Sequence, residues 1–231
     1  MDFFEAVKNR RSVRRYTEEK VPEEVMRKAF SAAIMAPNSS NLQTWNFYWV
    51  RSEDKKKKLV HFCLDQSAAG KAQEMVVVSA NYKLWKRSNA ALIDYVQAVS
   101  APKGALDYYK KLMPILHFTG LFNLMAPLKW LLLNSIGLFR PIVRGPYGSG
   151  GLTEVSIKSA ALACENFVLA LSAQGFSSCM MEGFDECRVK KLLGLAYRER
   201  VVMVISVGKA ADDGVWGYQF RIPQEQVIKE I

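Results

Sequence analysis

Arginines at 10, 11 and 14 around a serine at 12 are the first residues of this chain whose types and spacing suit chemistry. In an extended segment side chains alternate faces, so Arg10, Ser12 and Arg14 point the same way. Two guanidiniums flanking a hydroxyl are fixed donors that match phosphate oxygens two at a time. The plain alternative is a solvated basic cluster behind a short helix, and these five residues alone do not choose. A second set is Ala36-Pro37-Asn38-Ser39-Ser40-Asn41-Leu42-Gln43-Thr44-Trp45. Small hydroxyl and amide side chains between a helix and a strand read as a loop by default. Their density of donors and acceptors just ahead of an aromatic strand suits the polar edge of a planar heterocycle.

The 231 residues suffice for one well-buried domain or two small ones. Half of them are hydrophobic and 23% are charged, which argues against disorder. A net charge of +10 suits nucleic acid, anionic lipid or a phosphorylated small molecule without choosing among them. No Gly- or Cys-based nucleic-acid motif is present and the basic residues are spread along the chain, so no nucleic-acid partner is expected. Cys63, Cys164, Cys179 and Cys187 lack metal-type spacing and only two histidines accompany them, so no metal site is expected. Reduced thiols and an N-terminus without signal-peptide order lead to the expectation of a cytoplasmic protein.

Positioning these side chains takes a frame. Asp2 and Glu5 have capping-box character, and Phe3, Phe4 and Val7 give a short helix one apolar face ahead of the arginines. A second helix starts near Pro22, carries Glu23 and Glu24 at its positive end, buries Val25, Ala29, Ala32 and Ala33, and stops by Pro37. Trp45 to Val50 reads as a strand. Ser52 caps a helix running to Cys63, whose lysines 55–58 form a wet face. Val76 to Val78 reads as a buried strand. The clearest helix runs from Thr153 to Gln174, with Ile157, Ala160, Cys164, Phe167, Val168 and Leu171 at helical spacing and Gly175 as a left-handed cap. Asp185 caps a helix ending near Gly194, and Val201 to Val207 is a central strand stopped by Gly208.

Residues 82–150 are the least regular part and are expected to form an apolar helical insertion in a single domain spanning 1–231. No residue from Leu112 to Leu128 is charged, counting His117 as neutral. Pro114, Gly120, Pro127 and Lys129 nevertheless break the uninterrupted run of about 20 apolar residues that a membrane span needs. Amphipathic helices that pack on a partner subunit or roof an apolar pocket are the favoured reading. Contact with a membrane surface, helped by Lys110, Lys111, Lys129, Arg140 and Arg144, is the less favoured one. Gly145 to Gly151 reads as a turn-rich linker without the lysine of a nucleotide P-loop.

The pair RRSVR and APNSSNLQTW, some two dozen residues apart, resembles the FMN-dependent nitroreductase family. Its members carry an R-x-S-x-[RK] phosphate segment and an A-P-S-S-x-N-x-Q-P-W loop. This sequence departs at Asn38 and Thr44, where the family often has Ser and usually has Pro. A third match is Gly175 to Asp185, where Met181, Glu182 and Gly183 fall where family members bring backbone N–H groups to the flavin. A glycine suits that place, because main chain approaches a ring only where no Cβ intervenes. Cys179, with no histidine or helix N-terminus to activate it, reads as a small core residue. Gln66 falls where members place an amide or lysine near the ring. Arg221 matches the arginine of a K-x-R-x-P-like tail, with Gln219 where the lysine usually stands.

The resemblance covers about residues 1–80 and 152–223 and implies an α+β fold, a mostly antiparallel central sheet flanked by helices in an intertwined homodimer. It further implies FMN held by Arg10, Arg11, Ser12, Arg14 and Arg221 of one chain, with Asn38, Ser39 and Asn41 from the other and Pro37 against the ring. NAD(P)H would be the electron donor, and a hydrophobic or aromatic electron-poor small molecule the acceptor, by a ping-pong route. The cofactor carries that redox chemistry, so no side-chain acid or base is expected. The alternatives are a non-catalytic flavin-binding protein, or a reductive dehalogenase or flavin-consuming enzyme on the same scaffold.

Overall fold

Val76, Val77 and Val78 are completely buried, which demands cover on both faces of the strand that carries them. The computed structural model describes residues 1–231 and provides that cover in three layers. Strands β1 (Trp45–Trp49), β2 (Glu74–Ala80), β3 (Ser177–Met181) and β4 (Arg200–Gly208) form one sheet in the order β1-β2-β4-β3, every neighbouring pair antiparallel. The α+β class with a mostly antiparallel sheet is therefore the one the resemblance implied.

Eleven helices surround or extend from the sheet. Before β2 come α1 (Phe3–Asn9), α2 (Glu23–Ile34), α3 (Glu53–Phe62) and α4 (Ser67–Gly70). Between β2 and the central helix come α5 (Trp85–Ala98), α6 (Lys103–Asp107), a single π turn at Tyr108–Leu112, α7 (Met113–His117) and α8 (Met125–Ile136). The rest are α9 (Ser149–Ala173), α10 (Glu186–Leu193) and α11 (Gln224–Val227).

Alternation along the strands sorts the core into two halves. Val76, Val78, Ile205 and Val207 meet Met26 and Ala29 of α2 and Cys164 and Phe167 of α9. Met75, Val77, Val204 and Met181 meet Leu59 and Cys63 together with Val189 of α10. Polar side chains fix the helices to one another: Asn166 donates to Ala32 O at 3.2 Å, Gln174 to Val25 O at 3.3 Å and Ser172 to Ala6 O at 3.0 Å. Glu199, buried ahead of β4, accepts from Tyr48 on β1 at 3.0 Å and from Ser79 on β2. α9 has the length and apolarity to cross a bilayer, but it is the helix on which the sheet packs.

The local signals worked where their geometry is self-contained. Asp2 and Glu5 make both bonds of a capping box, Asp185 accepts from Arg188 N–H, and Gly175 and Gly194 take φ of +77° and +66° behind their helices. Four readings change. Phe3 and Phe4 are 64% and 80% exposed, so α1 buries only Ala6. Met26 is fully buried while Val25 and Ala32 are half-buried, a rotation of the α2 face. Ser52 stands at the α3 N-cap without a side-chain bond. α9 begins at Ser149, four residues early, and takes in part of the expected linker; a Cβ on Gly151 would lie 2.9 Å from Pro146 Cβ, so this glycine permits close approach.

Candidate functional site

Residues 10–16 leave α1 extended and lie as a strap between the edge of β3 and the chain after β4. Val13 N–H donates to Ser178 O at 3.0 Å, and Arg14 N–H donates to Gly214 O at 2.7 Å. The strap passes so near that a Cβ on Gly214 would sit 2.8 Å from Arg15 O. Val13 and Tyr16 are buried and anchor it. The Arg14 guanidinium lies 3.9 Å from the centroid of the Trp216 ring, and Arg11 Nη2 donates to Gly217 O at 3.0 Å. Arg15 and Asp213 form an ion pair beside them.

Arg10, Arg11, Ser12, Arg14, Gln219 and Arg221 all line one cavity. The two ends of the sequence thus supply four guanidiniums to one place. Among the four, only Arg10 has a carboxylate within reach, Glu165 at 3.8 Å. The positive charge of the cavity is therefore largely uncompensated, and the donor set suits a phosphate dianion. Beneath the strap, burial pushes the Cys179 thiol up against the opposing pull of Arg14 and Arg10. It is a protonated core thiol, as its surroundings in sequence suggested.

Past the strap, β3 runs about 10 Å from Ser178 to Met181. The Met181 side chain is buried in the core, which leaves the main chain of Glu182 and Gly183 at the surface. Gln66 Nε2 donates to Gly183 O at 2.6 Å and to Cys63 O at 2.9 Å. A Cβ on Gly183 would come within 3.0 Å of that amide, so Gln66 and the glycine share a tight spot. Of the residues singled out in sequence, Gln66, Met181, Glu182 and Gly183 meet here.

Pro37, Asn38, Ser39 and Asn41 are not brought to the arginines within one chain. Their loop lies against the first half of α9, near Ser156 and Ser159, whereas Arg10 pairs with Glu165 in the second half. Ser159 and Ser156 lie six and nine residues of helix before Glu165, about 9 to 14 Å along the axis. Asn38 holds the loop together, accepting from Gln43 N–H at 2.8 Å and donating to Ala36 O at 3.2 Å. Ser40, Asn41 and Gln43 all have positive φ. The π turn clamps this loop: the Tyr108 hydroxyl is 2.6 Å from Ser40 Oγ, and Tyr109 donates to Ser40 O at 3.4 Å.

Under the clamp Ser39 and Thr44 face Met113, Leu116 and His117 of α7 across a small cavity. His117 stacks on Trp85 with centroids 4.8 Å apart, and its Nδ1–H donates to Met113 O at 3.1 Å. Burial holds its pKa below the ordinary histidine value, with the Met113 carbonyl opposing and Lys129 adding a small push the same way. Sequence reading missed this tyrosine clamp, His117 and Trp216. Only their aromatic character marked them, and their partners lie far away along the chain.

The nitroreductase family model matches residues 7–209. DrgA of Synechocystis is 26% identical over 218 residues, covering 92% of this chain and 86% of its own. The NADH dehydrogenase of Thermus thermophilus is 25% identical over 228 residues, covering 99% and 95%. A structure from Exiguobacterium sibiricum, described as a nitroreductase in complex with FMN, superposes with a TM-score of 0.75 at 21% identity, over 100% of this chain and 98% of that one. The chain belongs to the nitroreductase family, the match running from α1 through the end of β4.

Proposed function

We propose that this protein is an FMN-dependent oxidoreductase that takes electrons from NAD(P)H and passes them to an electron-poor, hydrophobic or aromatic small molecule. The observation that carries the reading is the cavity where Arg10, Arg11, Ser12, Arg14 and Arg221 converge with one carboxylate nearby. Family membership, the FMN in the Exiguobacterium structure and the name of the Thermus relative support it. Bound FMN would supply hydride chemistry at its N5 position, first from the nicotinamide and then to the acceptor, in a ping-pong sequence.

The chain's own residues bind and orient. Arg10, Arg14 and Arg221 hold the phosphate, Arg11 ties the strap to the tail, and Ser12 adds a hydroxyl. Glu182 and Gly183 offer main chain to the ring, with Gln66 behind them. A second copy of the chain completes the site with Pro37, Asn38, Ser39 and Asn41, which lie too far along α9 to serve their own strap. The protein would then act as a homodimer in the cytoplasm, with 82–150 as an insertion in a single domain. The absorption spectrum of the purified protein tests this directly. Flavin bands at about one FMN per chain, bleached by NADH or NADPH, are expected. A colourless protein that FMN does not reconstitute overturns the proposal, and a yellow one that ignores both nucleotides marks a flavin carrier instead.

A further inference from the structure

Helix α8 is folded inside out. A surface helix normally turns its apolar stripe to the core and its polar side chains to water. Here Lys129 and Asn134 face the protein. Lys129 Nζ donates to Ile115 O at 2.9 Å and Leu116 O at 3.0 Å, and Asn134 Nδ2 donates to the Tyr147 hydroxyl at 3.2 Å. The leucines face away. Leu128, Leu131 and Leu132 are each more than half exposed, between Phe122 at 84% and Phe139 at 89%. No residue of α8 is buried, whereas Met113, Leu116 and His117 of α7 do roof a cavity. A monomer in water rarely leaves a contiguous apolar patch of this kind uncovered.

Charge decides what covers it. No aspartate or glutamate occurs between Asp107 and Glu154. Lys110, Arg140 and Arg144 are exposed in the same stretch. A second copy meeting this face with its own equivalent would bring the same cations against these. A bilayer surface would instead offer acyl chains to the leucines and phosphate to the cations, with Trp130 at the boundary. We propose that residues 118–143 dock this protein on a bilayer rich in anionic lipid. The twelve residues of α8 make about 18 Å of helix, too short for a hydrocarbon core of about 30 Å, so the helix lies in the headgroup plane. This inference does not depend on the flavin reading.

Vesicle co-sedimentation of the full-length protein tests it. Binding to phosphatidylglycerol–phosphatidylcholine vesicles is expected to exceed binding to phosphatidylcholine alone by about tenfold. The double variants Leu131→Glu/Leu132→Glu and Arg140→Glu/Arg144→Glu should each lose about tenfold in partitioning while keeping the wild-type circular dichroism. Should the first variant misfold, the second and the lipid dependence still decide. Wild-type protein that stays in the supernatant with anionic vesicles overturns the proposal, as does undiminished binding by both variants. So does a scattering mass that falls in Leu131→Glu/Leu132→Glu, which would make this face a contact between copies.

Discussion

Arg14 is placed before any ligand arrives. Its backbone N–H is bonded to Gly214 O, its neighbour Val13 is tied to β3, and its guanidinium rests on Trp216. Little side-chain freedom remains to be lost on binding an anion, so its contribution to affinity is realised nearly in full. Arg14→Ala should weaken FMN retention by about 10- to 100-fold, the worth of a charge-assisted bond. Fluorescence of flavin released on dilution measures it, and a variant as yellow as wild type removes Arg14 from the site. The thiols give a second prediction. Cys187 is exposed, while burial pushes Cys63 and Cys164 up to about 12 and raises Cys179. A disulfide reagent at pH near 8 should therefore titrate one thiol in the native protein and four in denaturant. Because the folded chain holds those protons more tightly than the unfolded one, stability declines as pH rises above the ordinary thiol value of 9.0. The denaturation midpoint measured from pH 8 to 11 should fall accordingly.

Elements were legible in proportion to how far their signal is local. β2 and β4 announce themselves by β-branched runs buried on both faces, and α9 by its spacing and its terminal glycine. β3, with the sequence SSCMM, carries no such mark and is a strand because β4 and the strap offer it partners. The direction α8 faces was unreadable for a different reason: a helix apolar nearly all round has no stripe to point with. At the candidate site, the arginine segment stood out by its types and spacing, whereas Gly183 was marked only by the family resemblance. Trp216 under Arg14 and the tyrosines above Ser40 join residues 68 to 202 positions apart, which no local pattern encodes. The clamp is open to test at this scale. Tyr108→Phe deletes one hydrogen bond worth about 1 kcal/mol, so amide exchange in the 38–43 loop should quicken by about fivefold while β2 and β4 stay protected. Unchanged exchange would show that Asn38 and Tyr109 hold the loop without the Tyr108 hydroxyl.

Across the whole molecule, the exposed Phe3 and Phe4, the tail from Trp216 to Ile222, and the separation of the amide loop from the arginines would all be met by the second subunit proposed above. Light scattering should give twice the chain mass of 26.1 kDa, and dilution that halves that mass should release the flavin at the same concentration. A fully loaded monomer would contradict the shared site. The buried histidine adds a dependence on acid. The folded pKa of His117 lies below 6.5, so the unfolded chain takes up its proton first and stability is lost as pH falls from 6.5 through the folded value. His117→Phe, which keeps the stacking on Trp85, should flatten that part of the profile.

The strap has a temporal consequence. Its seat is built from Gly214, Trp216 and Gly217, which are made long after the strap itself. A nascent chain must therefore hold residues 10–16 in reserve until Gly217 has been added. Molecules clipped before residue 214 would keep both core halves, yet would lack the seat on which Arg14 rests and the Arg221 guanidinium.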